Sequence, residues 1–292
     1  MKHFDLCVIG AGPSGYAAAM RALDFKKRVL LIEKEHIGGA GVTNGALSSK
    51  TWWELSRNVG LVFDHRKRYN LSDPNINFEV LKSSVEDAVN QRKNFLEEHL
   101  QALNECEYAG LLTYKRGTAR MISATEIEIS GAQETETILA DYTILATGSR
   151  PRKLPDIPID EEIILTSDGI SNLKEFPKSM VILGAGVIGC EFATIFSSLR
   201  QTKVNIIDKG DRILPFEDDD VVDVIEKNME ANGVHIHHNS RMIRMDIVEG
   251  KVEYELEFND GARRVYHVEK ALVSVGRVPN YEGLGLEAVS YT

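Results

Sequence analysis

The chain has 292 residues, a length that suggests two domains of ordinary size. Its 34 Lys and Arg against 44 Asp and Glu give a net charge of −10, which argues against general nucleic-acid binding and against docking on anionic membranes, because both need clustered cations. The cysteines Cys7, Cys106 and Cys190 form no CxxC pair. We therefore expect three buried, inert thiols, no disulfide framework, no metal site and a cytoplasmic protein.

The opening residues predict a strand, a helix and a second strand. Residues 6–9 are wholly apolar, residues 16–22 are helix-forming, and residues 28–33 (RVLLIE), with an apolar centre, are expected to form a second buried strand. Buried parallel strands are apolar throughout, so these three segments predict a βαβ unit. No extended apolar region of a secretory signal is visible before it, and the longest apolar run, 180–190, is too short to span a bilayer.

The next segments alternate between loop, helix and strands. Residues 36–50 are rich in Gly, Ser and Thr and predict a loop, with a helix that begins near Ser49. Apolar residues at helical spacing over 78–103 predict a long amphipathic helix. Three strand-like stretches follow, at 111–114, 125–129 and 142–145.

The second half repeats the first pattern. The proline-containing residues 151–178 predict a linker. The expected elements after it are a strand at 180–183, a helix at 190–199, and strands at 204–208, 234–238, 251–258 and 271–275. The repeated strand–helix–strand unit predicts an α/β fold with two Rossmann-like, doubly wound domains. The first would cover 1–150, with a helical insertion at about 50–108, the second 151–275, and 276–292 would return toward the first.

A glycine turn follows the first strand. Its GxGxxG pattern is formed by Gly10, Gly12 and Gly15, with Pro13 and Ser14 between the last two. Such glycines permit a tight turn, close approach of the backbone to a pyrophosphate, and close packing of helix on strand. Glu33 ends the next strand, where a carboxylate can accept hydrogen bonds from ribose hydroxyls. We predict a dinucleotide site here; the alternative is a turn that serves packing alone.

A second glycine turn has the same parts. Gly184, Gly186 and Gly189 surround Val187 and Ile188, and Asp208 ends the following strand. An acidic residue at this place favours the free 2′-hydroxyl of NAD over the 2′-phosphate of NADP. Lys209 and Arg212 lie nearby and weaken that preference, so NADP stays as an alternative. Two dinucleotide sites in one chain suggest a bound flavin and an exchangeable nicotinamide nucleotide.

The glycine turns stand among further short motifs in a fixed order. These are VIGAGPSG, IEKE, GG…SSK, GTAR, ATGSRP, VILGAGVIGCEFA and VGRVPN. Together they resemble the FAD-dependent pyridine nucleotide–disulfide oxidoreductases over the whole chain. Within that family the similarity is greatest to the dihydrolipoamide dehydrogenases and the soluble transhydrogenases. The resemblance implies FAD and NAD as cofactors.

The resemblance assigns roles to matching positions. The ADP part of FAD would be held by the first turn and Glu33, with Lys34, Gly39 and Gly45 also at this site. Gly117, Thr118 and Ala119 would lie near its adenine, and Thr147 and Gly148 would pack against the flavin nucleotide. NAD would be held by the second turn and Asp208, with Gly276 and Arg277 beside it. Val187 stands where some relatives place a tyrosine over the flavin.

Lys50 and Glu191 match a pair that carries chemistry in the family. The corresponding lysine and glutamate of relatives form an ion pair near the reactive edge of the flavin. A lysine there stabilises negative charge on the reduced cofactor, and the glutamate fixes its position. We therefore take Lys50 and Glu191 as the catalytic candidates; the alternative for each residue alone is a solvated surface charge.

The chain departs from the family at the redox loop. The two cysteine positions of that loop are Gly41 and Ala46 here, and neither side chain forms a thiolate or a disulfide. Hydride transfer from NAD(P)H to flavin is expected, whereas onward transfer through a dithiol is not. The electron acceptor is therefore unknown: a second nicotinamide nucleotide, a quinone, oxygen or a dye. The alternatives are dihydrolipoamide dehydrogenase activity and a non-catalytic dinucleotide-binding protein.

Length is the second departure. The chain covers roughly two thirds of a usual member, so the C-terminal dimerisation domain and its His–Glu acid–base pair are expected to be absent from it. A homodimer is accordingly expected only for a full-length form.

Overall fold

The structure is a computed structural model that describes residues 1–66, 68–70, 72–106, 108–132 and 134–289. The chain divides into two compact units. Unit 1 contains Met1–Ser48, Asp87–Arg150 and the chain from Val278 onward, and unit 2 contains Ser49–Glu86 and Pro151–Arg277. Residues 49–86, which the sequence assigned to the first domain, thus pack within unit 2.

The elements up to the unit boundary at Arg150 are seven strands and four helices within the described residues. They are β1 (His3–Ile9), α1 (Pro13–Asp24), β2 (Val29–Glu33), α2 (Gly39–Val42), α3 (Ala46–His65), α4 (Phe78–Glu105), β3 (Leu112–Arg116), β4 (Thr118–Met121), β5 (Glu126–Ser130), β6 (Thr135–Leu145) and β7 (Ser149–Pro151). Helices α3 and α4 each contribute residues to both units.

Unit 1 is built on a six-stranded sheet in the order β3-β2-β1-β6-β5-β4. The first four strands are parallel, with Val8 opposite Leu31 of β2 and Ile144 of β6. Strands β5 and β4 continue the sheet antiparallel. The predicted βαβ unit and the long helix α4 are confirmed.

The prediction of a loop over residues 36–50 is wrong in part, because residues 39–42 and 46–50 are helical and only 36–38 and 43–45 lie outside helices. Gly38 adopts a left-handed conformation (φ 87°), α2 begins directly after it, and α3 begins at Ala46, three residues before the expected start. The serine that suggested a loop is compatible with the helix because its hydroxyl bonds backward: Ser48 Oγ donates to the Gly45 carbonyl at 3.3 Å.

The later elements belong mainly to unit 2. They are β8 (Ile164–Thr166), a 3₁₀ helix (Ser167–Asn172), β9 (Ser179–Leu183), α5 (Val187–Ser198), β10 (Lys203–Ile207), α6 (Asp219–Ala231), β11 (His235–His237), β12 (Arg241–Val248), β13 (Lys251–Glu257), β14 (Arg263–Val268), β15 (Lys270–Val273) and β16 (Arg277–Pro279), with a last 3₁₀ helix (Leu286–Val289) in unit 1.

Unit 2 has a parallel sheet in the order β11-β10-β9-β15-β8 and a three-stranded antiparallel sheet β12-β13-β14. The two parallel sheets confirm the predicted doubly wound α/β class. The linker prediction for 151–178 is wrong in part, because the three buried residues of β8 form an edge strand of the sheet. Strands β4, β12 and β14 and helix α6 were not predicted.

Each unit has its own hydrophobic core. In unit 1, one cluster lies around Val8 and Leu31 and another around Cys7 and Ile127. In unit 2, the corresponding clusters lie on the two faces of the parallel sheet. Cys7 and Cys190 are buried as expected, whereas Cys106 is exposed, because it follows the polar end of α4. None of the described helices has the length and apolarity that a membrane crossing requires.

Candidate functional site

The first glycine turn joins β1 to α1 in unit 1. Gly10 has φ +104°, and a Cβ there would lie 2.3 Å from the carbonyl oxygen of Ala146. A Cβ on Gly15 would lie 1.8 Å from the Gly10 oxygen. A Cβ on Gly12, by contrast, would meet nothing within 4 Å. The first and third glycines are therefore required by packing, and the second borders open space.

The open space lies at the N-terminus of α1. Gly12 is the N-cap residue and supplies no side-chain hydrogen bond, and Pro13 follows as the first helical residue. The backbone N–H groups of Ser14 and Gly15 therefore stand in a first turn whose donors have no acceptor within the helix. Such a turn, with the positive end of the helix dipole, binds anions. The residues fit the pyrophosphate of a dinucleotide.

Glu33 fixes the shape of this turn. Its Oε2 accepts a hydrogen bond from the backbone N–H of Ala11 at 2.7 Å, and its Oε1 accepts one from the N–H of Glu35 at 2.8 Å. The side chain is buried, so both charged hydrogen bonds are shielded from water. Lys34 is exposed and its Nζ lies 3.4 Å from Glu35 Oε1. Each Glu33 oxygen keeps acceptor capacity for a ligand hydroxyl.

The second glycine turn, in unit 2, repeats the first. Gly184 has φ +103° and approaches the Ser274 carbonyl, where a Cβ would lie at 2.8 Å, and a Cβ on Gly189 would lie 2.0 Å from the Gly184 oxygen. Gly186 again borders open space and is the uncapped N-cap of α5. Val187 and Ile188 form the first turn, and Val187 is 67% exposed. The glycine turn and the N-terminus of the helix that follows it form what we call a cradle, the first at residues 10–15 and the second at residues 184–189. The second cradle also fits a dinucleotide pyrophosphate.

Asp208 is the counterpart of Glu33. Its Oδ2 accepts a hydrogen bond from the N–H of Ala185 at 2.7 Å and its Oδ1 one from the N–H of Gly210 at 2.8 Å. The guanidinium of Arg212 is occupied within its own loop, because it donates to the carbonyls of Pro215 and Glu217 at 2.9 and 3.0 Å. Lys209 is exposed. Arg212 is thus held by backbone carbonyls rather than directed toward a ligand phosphate.

Several predicted FAD residues surround the first turn or occupy tight packing positions. A Cβ on Gly39 would lie 3.1 Å from Cα of Gly12, so α2 lies against the turn. A Cβ on Gly45 would lie 2.4 Å from a backbone carbonyl oxygen of another residue, and a Cβ on Gly117 would lie 2.9 Å from one. Thr118 is exposed and Ala119 is buried in β4. For Gly117 and Ala119 close packing accounts for the residue type without a ligand.

Asn280 is a residue of this region that the sequence prediction missed. Thr147 Oγ1 donates to the Asn280 carbonyl at 2.6 Å, Asn280 Nδ2 donates to the Thr147 carbonyl at 2.9 Å, and Asn280 N–H donates to the Gly148 carbonyl at 3.0 Å. Gly148 itself has φ +68° and borders open space. The VPN motif was the available signal, because an asparagine after a proline favours such turns.

Gly276 and Arg277 follow β15 at the carboxyl end of the parallel sheet of unit 2. Gly276 has φ +102° and borders open space. Arg277 Nη1 lies 3.4 Å from Ser167 Oγ and 3.5 Å from Asp168 Oδ1, two residues at the end of β8 that were not predicted. Burial raises the pKa of Asp168, although Arg277 opposes that shift. Ligands of α/β proteins bind at this edge of the sheet.

Lys50 and Glu191 form an ion pair within unit 2. Lys50 Nζ contacts Glu191 Oε1, and the Ser49 hydroxyl donates to the same oxygen at 3.1 Å. The lysine side chain is 65% exposed and that of the glutamate 17%. Glu191 is the fifth residue of α5, directly after the glycine turn, while Lys50 lies in the first turns of α3. Two residues 141 positions apart are thus brought together by the packing of α3 and α5.

The thiols of the chain do not form a reactive centre. Burial raises the pKa of Cys7 to about 12, and burial with the charges of Asp208 and Glu226 raises the pKa of Cys190 to about 12. All three cysteines are free. Over the described parts of the chain, no three His, Cys, Asp or Glu side chains are grouped as a metal site would need.

The comparisons agree on one family. A family model described as pyridine nucleotide-disulphide oxidoreductase matches residues 4–291. The chain is 33% identical over 286 residues to a dihydrolipoyl dehydrogenase of Bacillus subtilis, covering 97% of this chain and 60% of that protein. It is also 33% identical over 295 residues to a soluble pyridine nucleotide transhydrogenase of Yersinia enterocolitica, covering 98% and 60%.

Solved structures give the same result. LpdA from Mycobacterium tuberculosis superposes with a TM-score of 0.85 at 27% identity, over 100% of this chain and 62% of that one. The HOCl-induced flavoprotein disulfide reductase RclA from Escherichia coli gives a TM-score of 0.82 at 25% identity, over 99% and 60%. The chain thus spans about 60% of the length of the relatives that it matches.

Proposed function

The chain belongs to the pyridine nucleotide-disulphide oxidoreductase family, and from this premise we propose that it is an FAD-dependent oxidoreductase that takes hydride from NAD(P)H and passes electrons to an acceptor that is not a disulfide. The observation that carries the proposal is the duplicated cradle. Gly12 and Gly186 each border open space at an uncapped helix N-terminus, and a buried or half-buried carboxylate holds each turn.

In this proposal the first cradle holds FAD and the second holds the nicotinamide nucleotide. The amides of Ser14 and Gly15 bind the pyrophosphate of FAD, and Glu33 accepts from its ribose. The first-turn amides of α5 bind the pyrophosphate of NAD, with Asp208 in the role of Glu33. When bound, FAD supplies a ring that accepts a hydride from the reduced nicotinamide and passes the electrons onward.

We propose Lys50 as the residue that stabilises negative charge on the reduced cofactor. Glu191 keeps the lysine in place through the ion pair. Because the carboxylate is mostly buried and the lysine mostly exposed, the glutamate is the fixed partner. A mere dinucleotide-binding module has no use for such a pair, so it favours an enzyme over the non-catalytic alternative.

We propose NAD as the preferred nicotinamide nucleotide. Asp208 presents negative charge where NADP carries its 2′-phosphate. Of the two cations that weaken this preference, Arg212 is bound to the Pro215 and Glu217 carbonyls. Lys209 is the exposed cation next to Asp208. NADP is therefore the weaker ligand in this proposal.

The acceptor in this proposal is a second nicotinamide nucleotide, a quinone, oxygen or a dye. Gly41 and Ala46 provide no thiol, and the thiols of Cys7 and Cys190 are buried with a pKa of about 12. Thiolates are required for disulfide exchange. Transfer to lipoamide through an internal dithiol is therefore not part of the proposed activity.

The visible spectrum of the protein loaded with FAD tests this proposal. We expect bound flavin that bleaches on anaerobic addition of NADH, more readily than with NADPH, and that regains its colour with an added quinone or dye. Flavin that stays oxidised in excess NADH and NADPH overturns the proposal. Reduction of lipoamide by NADH, or the reverse oxidation of dihydrolipoamide, would show that a disulfide serves as electron acceptor.

A further inference from the structure

Helix α3 contains three serines, and one of them differs from the others in its hydrogen bond. Ser48 Oγ donates to the carbonyl of Gly45, the residue before the helix, and Ser56 Oγ donates to the carbonyl of Trp53 within it, so each bond reaches three residues back along the chain. Ser49 Oγ instead donates to the side chain of Glu191, 142 residues away. A serine hydroxyl in a helix commonly donates to a backbone carbonyl of the preceding turn. The bond from Ser49 to a distant side chain therefore indicates that this hydroxyl has a specific role.

Ser49 and Lys50 donate to one and the same atom, Oε1 of Glu191. The two donors differ in freedom. Lys50 reaches the carboxylate through a flexible side chain that is 65% exposed, whereas Ser49 is only 6% exposed and its hydroxyl is carried on Cβ, close to the backbone of α3. A short, buried donor fixes an acceptor better than a long, hydrated one, because it loses less rotamer freedom.

We propose that Ser49 is a positioning residue: its hydroxyl holds the Glu191 carboxylate in the orientation that places Lys50. This inference rests on the proposed function, because it gives Lys50 its task. Ser49 itself touches no cofactor in this proposal. Without its hydroxyl, Glu191 Oε1 keeps only the mobile ammonium as donor, and the pair samples other arrangements.

Two measurements on Ser49→Ala test the proposal, with Ser49→Thr and Ser56→Ala as controls. Ser56→Ala also removes a buried hydroxyl, two turns along the same helix, but one that bonds only backbone. The first readout is the rate at which a dilute amine-reactive reagent labels Lys50 in the cofactor-free chain, as measured by mass spectrometry. The second is the rate of anaerobic flavin bleaching by NADH in the chain loaded with FAD.

We expect Ser49→Ala to label Lys50 faster and to bleach about tenfold more slowly, the lower end of what one lost hydrogen bond to a charged group gives. Ser49→Thr, which keeps a hydroxyl, and Ser56→Ala should match the parent chain in both readouts. Unchanged Lys50 labelling in Ser49→Ala overturns the proposal whatever the bleaching rate, and so does an equal effect of Ser56→Ala. If the parent chain does not bleach, the proposed function fails, and the labelling result alone then decides the role of Ser49.

Discussion

Asp208 accepts a hydrogen bond from the backbone N–H of Ala185 at 2.7 Å, and through it the end of β10 is tied to the glycine turn that precedes α5. Glu33 makes the equivalent bond to Ala11 in unit 1, at the same distance. The carboxylate that is expected to select the ribose therefore also shapes the cradle for the pyrophosphate. Loss of its charge should impair both tasks at once.

Asp208→Asn tests this double task. The amide has one oxygen for the two backbone donors, Ala185 and Gly210, and its NH₂ group repels the other. Lost hydrogen bonds to a charged group weaken binding by about tenfold or more. We expect NADH affinity, measured by fluorescence titration, to fall that far while FAD content stays unchanged.

Glu33→Gln is the matched variant, and it should show the reverse: lower FAD content, with NADH affinity retained. If either variant lowers both affinities equally, the two turns do not act as separate sites.

Lys50→Met tests the charge of the proposed pair. Methionine keeps an unbranched side chain of similar length but has no ammonium group, so Glu191 loses its charged partner. Because removal of an electrostatic donor from a reaction centre slows chemistry strongly, we expect flavin bleaching by NADH to slow at least about tenfold at unchanged FAD content. Stopped-flow absorbance of the loaded protein gives the rate. A normal rate in Lys50→Met would show that the lysine has no part in the reaction.

Both glycine turns could be predicted from the sequence alone. Only glycine adopts a φ near +100° readily, and only glycine leaves room for a carbonyl oxygen that would lie within 3 Å of a Cβ. Other features depend on tertiary contacts that no local pattern shows. Strand β8 has only three residues and lies in a proline-containing stretch, so its pairing with β15 could not be predicted from the sequence. The bond from Ser49 to Glu191 depends on the packing of α3 against α5. The exposure of Cys106 depends on where α4 ends.

Gly41, which the family resemblance places at a redox-cysteine position, has no space for a side chain. A Cβ there would lie 2.5 Å from Cγ of Pro13, a ring that has little freedom to move. We therefore expect Gly41→Ala to destabilise the protein by about 1–3 kcal/mol, as overpacking does. Thermal unfolding of the variant measures this.

Gly60→Ala is the control for the same exchange. Gly60 lies inside α3, and a Cβ there would meet only ordinary contacts, the nearest atom being the Ser198 oxygen at 3.7 Å. Alanine favours a helix interior by about 1 kcal/mol over glycine, so this variant should melt at a higher temperature. Equal shifts in the two variants would contradict the steric argument for Gly41.

Alkylation distinguishes the three thiols. Only thiolates react, and a pKa of about 12 leaves Cys7 and Cys190 almost wholly protonated at pH 8, besides their burial. Cys106 is exposed, so iodoacetamide at pH 8 should modify it about a hundredfold faster or more. Mass spectrometry of timed samples gives the three rates. All three should react in urea, and fast labelling of Cys190 in the folded protein would contradict its placement in the core.

His237 should make stability depend on pH below neutrality. Burial first, and then the nearby His235 and His238, lower its pKa from 6.5. As the pH falls below 6.5, the unfolded chain therefore binds a proton that the folded chain does not, and stability is lost until the lower folded pKa is passed. His237→Phe, which keeps a ring against Phe258 and Tyr266, should remove that part of the pH dependence.

Urea unfolding at pH 7.5, 6.5 and 5.5 measures the effect of His237→Phe. The neighbouring His238 is paired with Glu226, so the relevant quantity is the difference between variant and parent at each pH. We expect the variant to gain stability relative to the parent as the pH falls from 6.5 to 5.5. A constant difference between His237→Phe and the parent across the three pH values would show that His237 is protonated equally in the folded and unfolded chains.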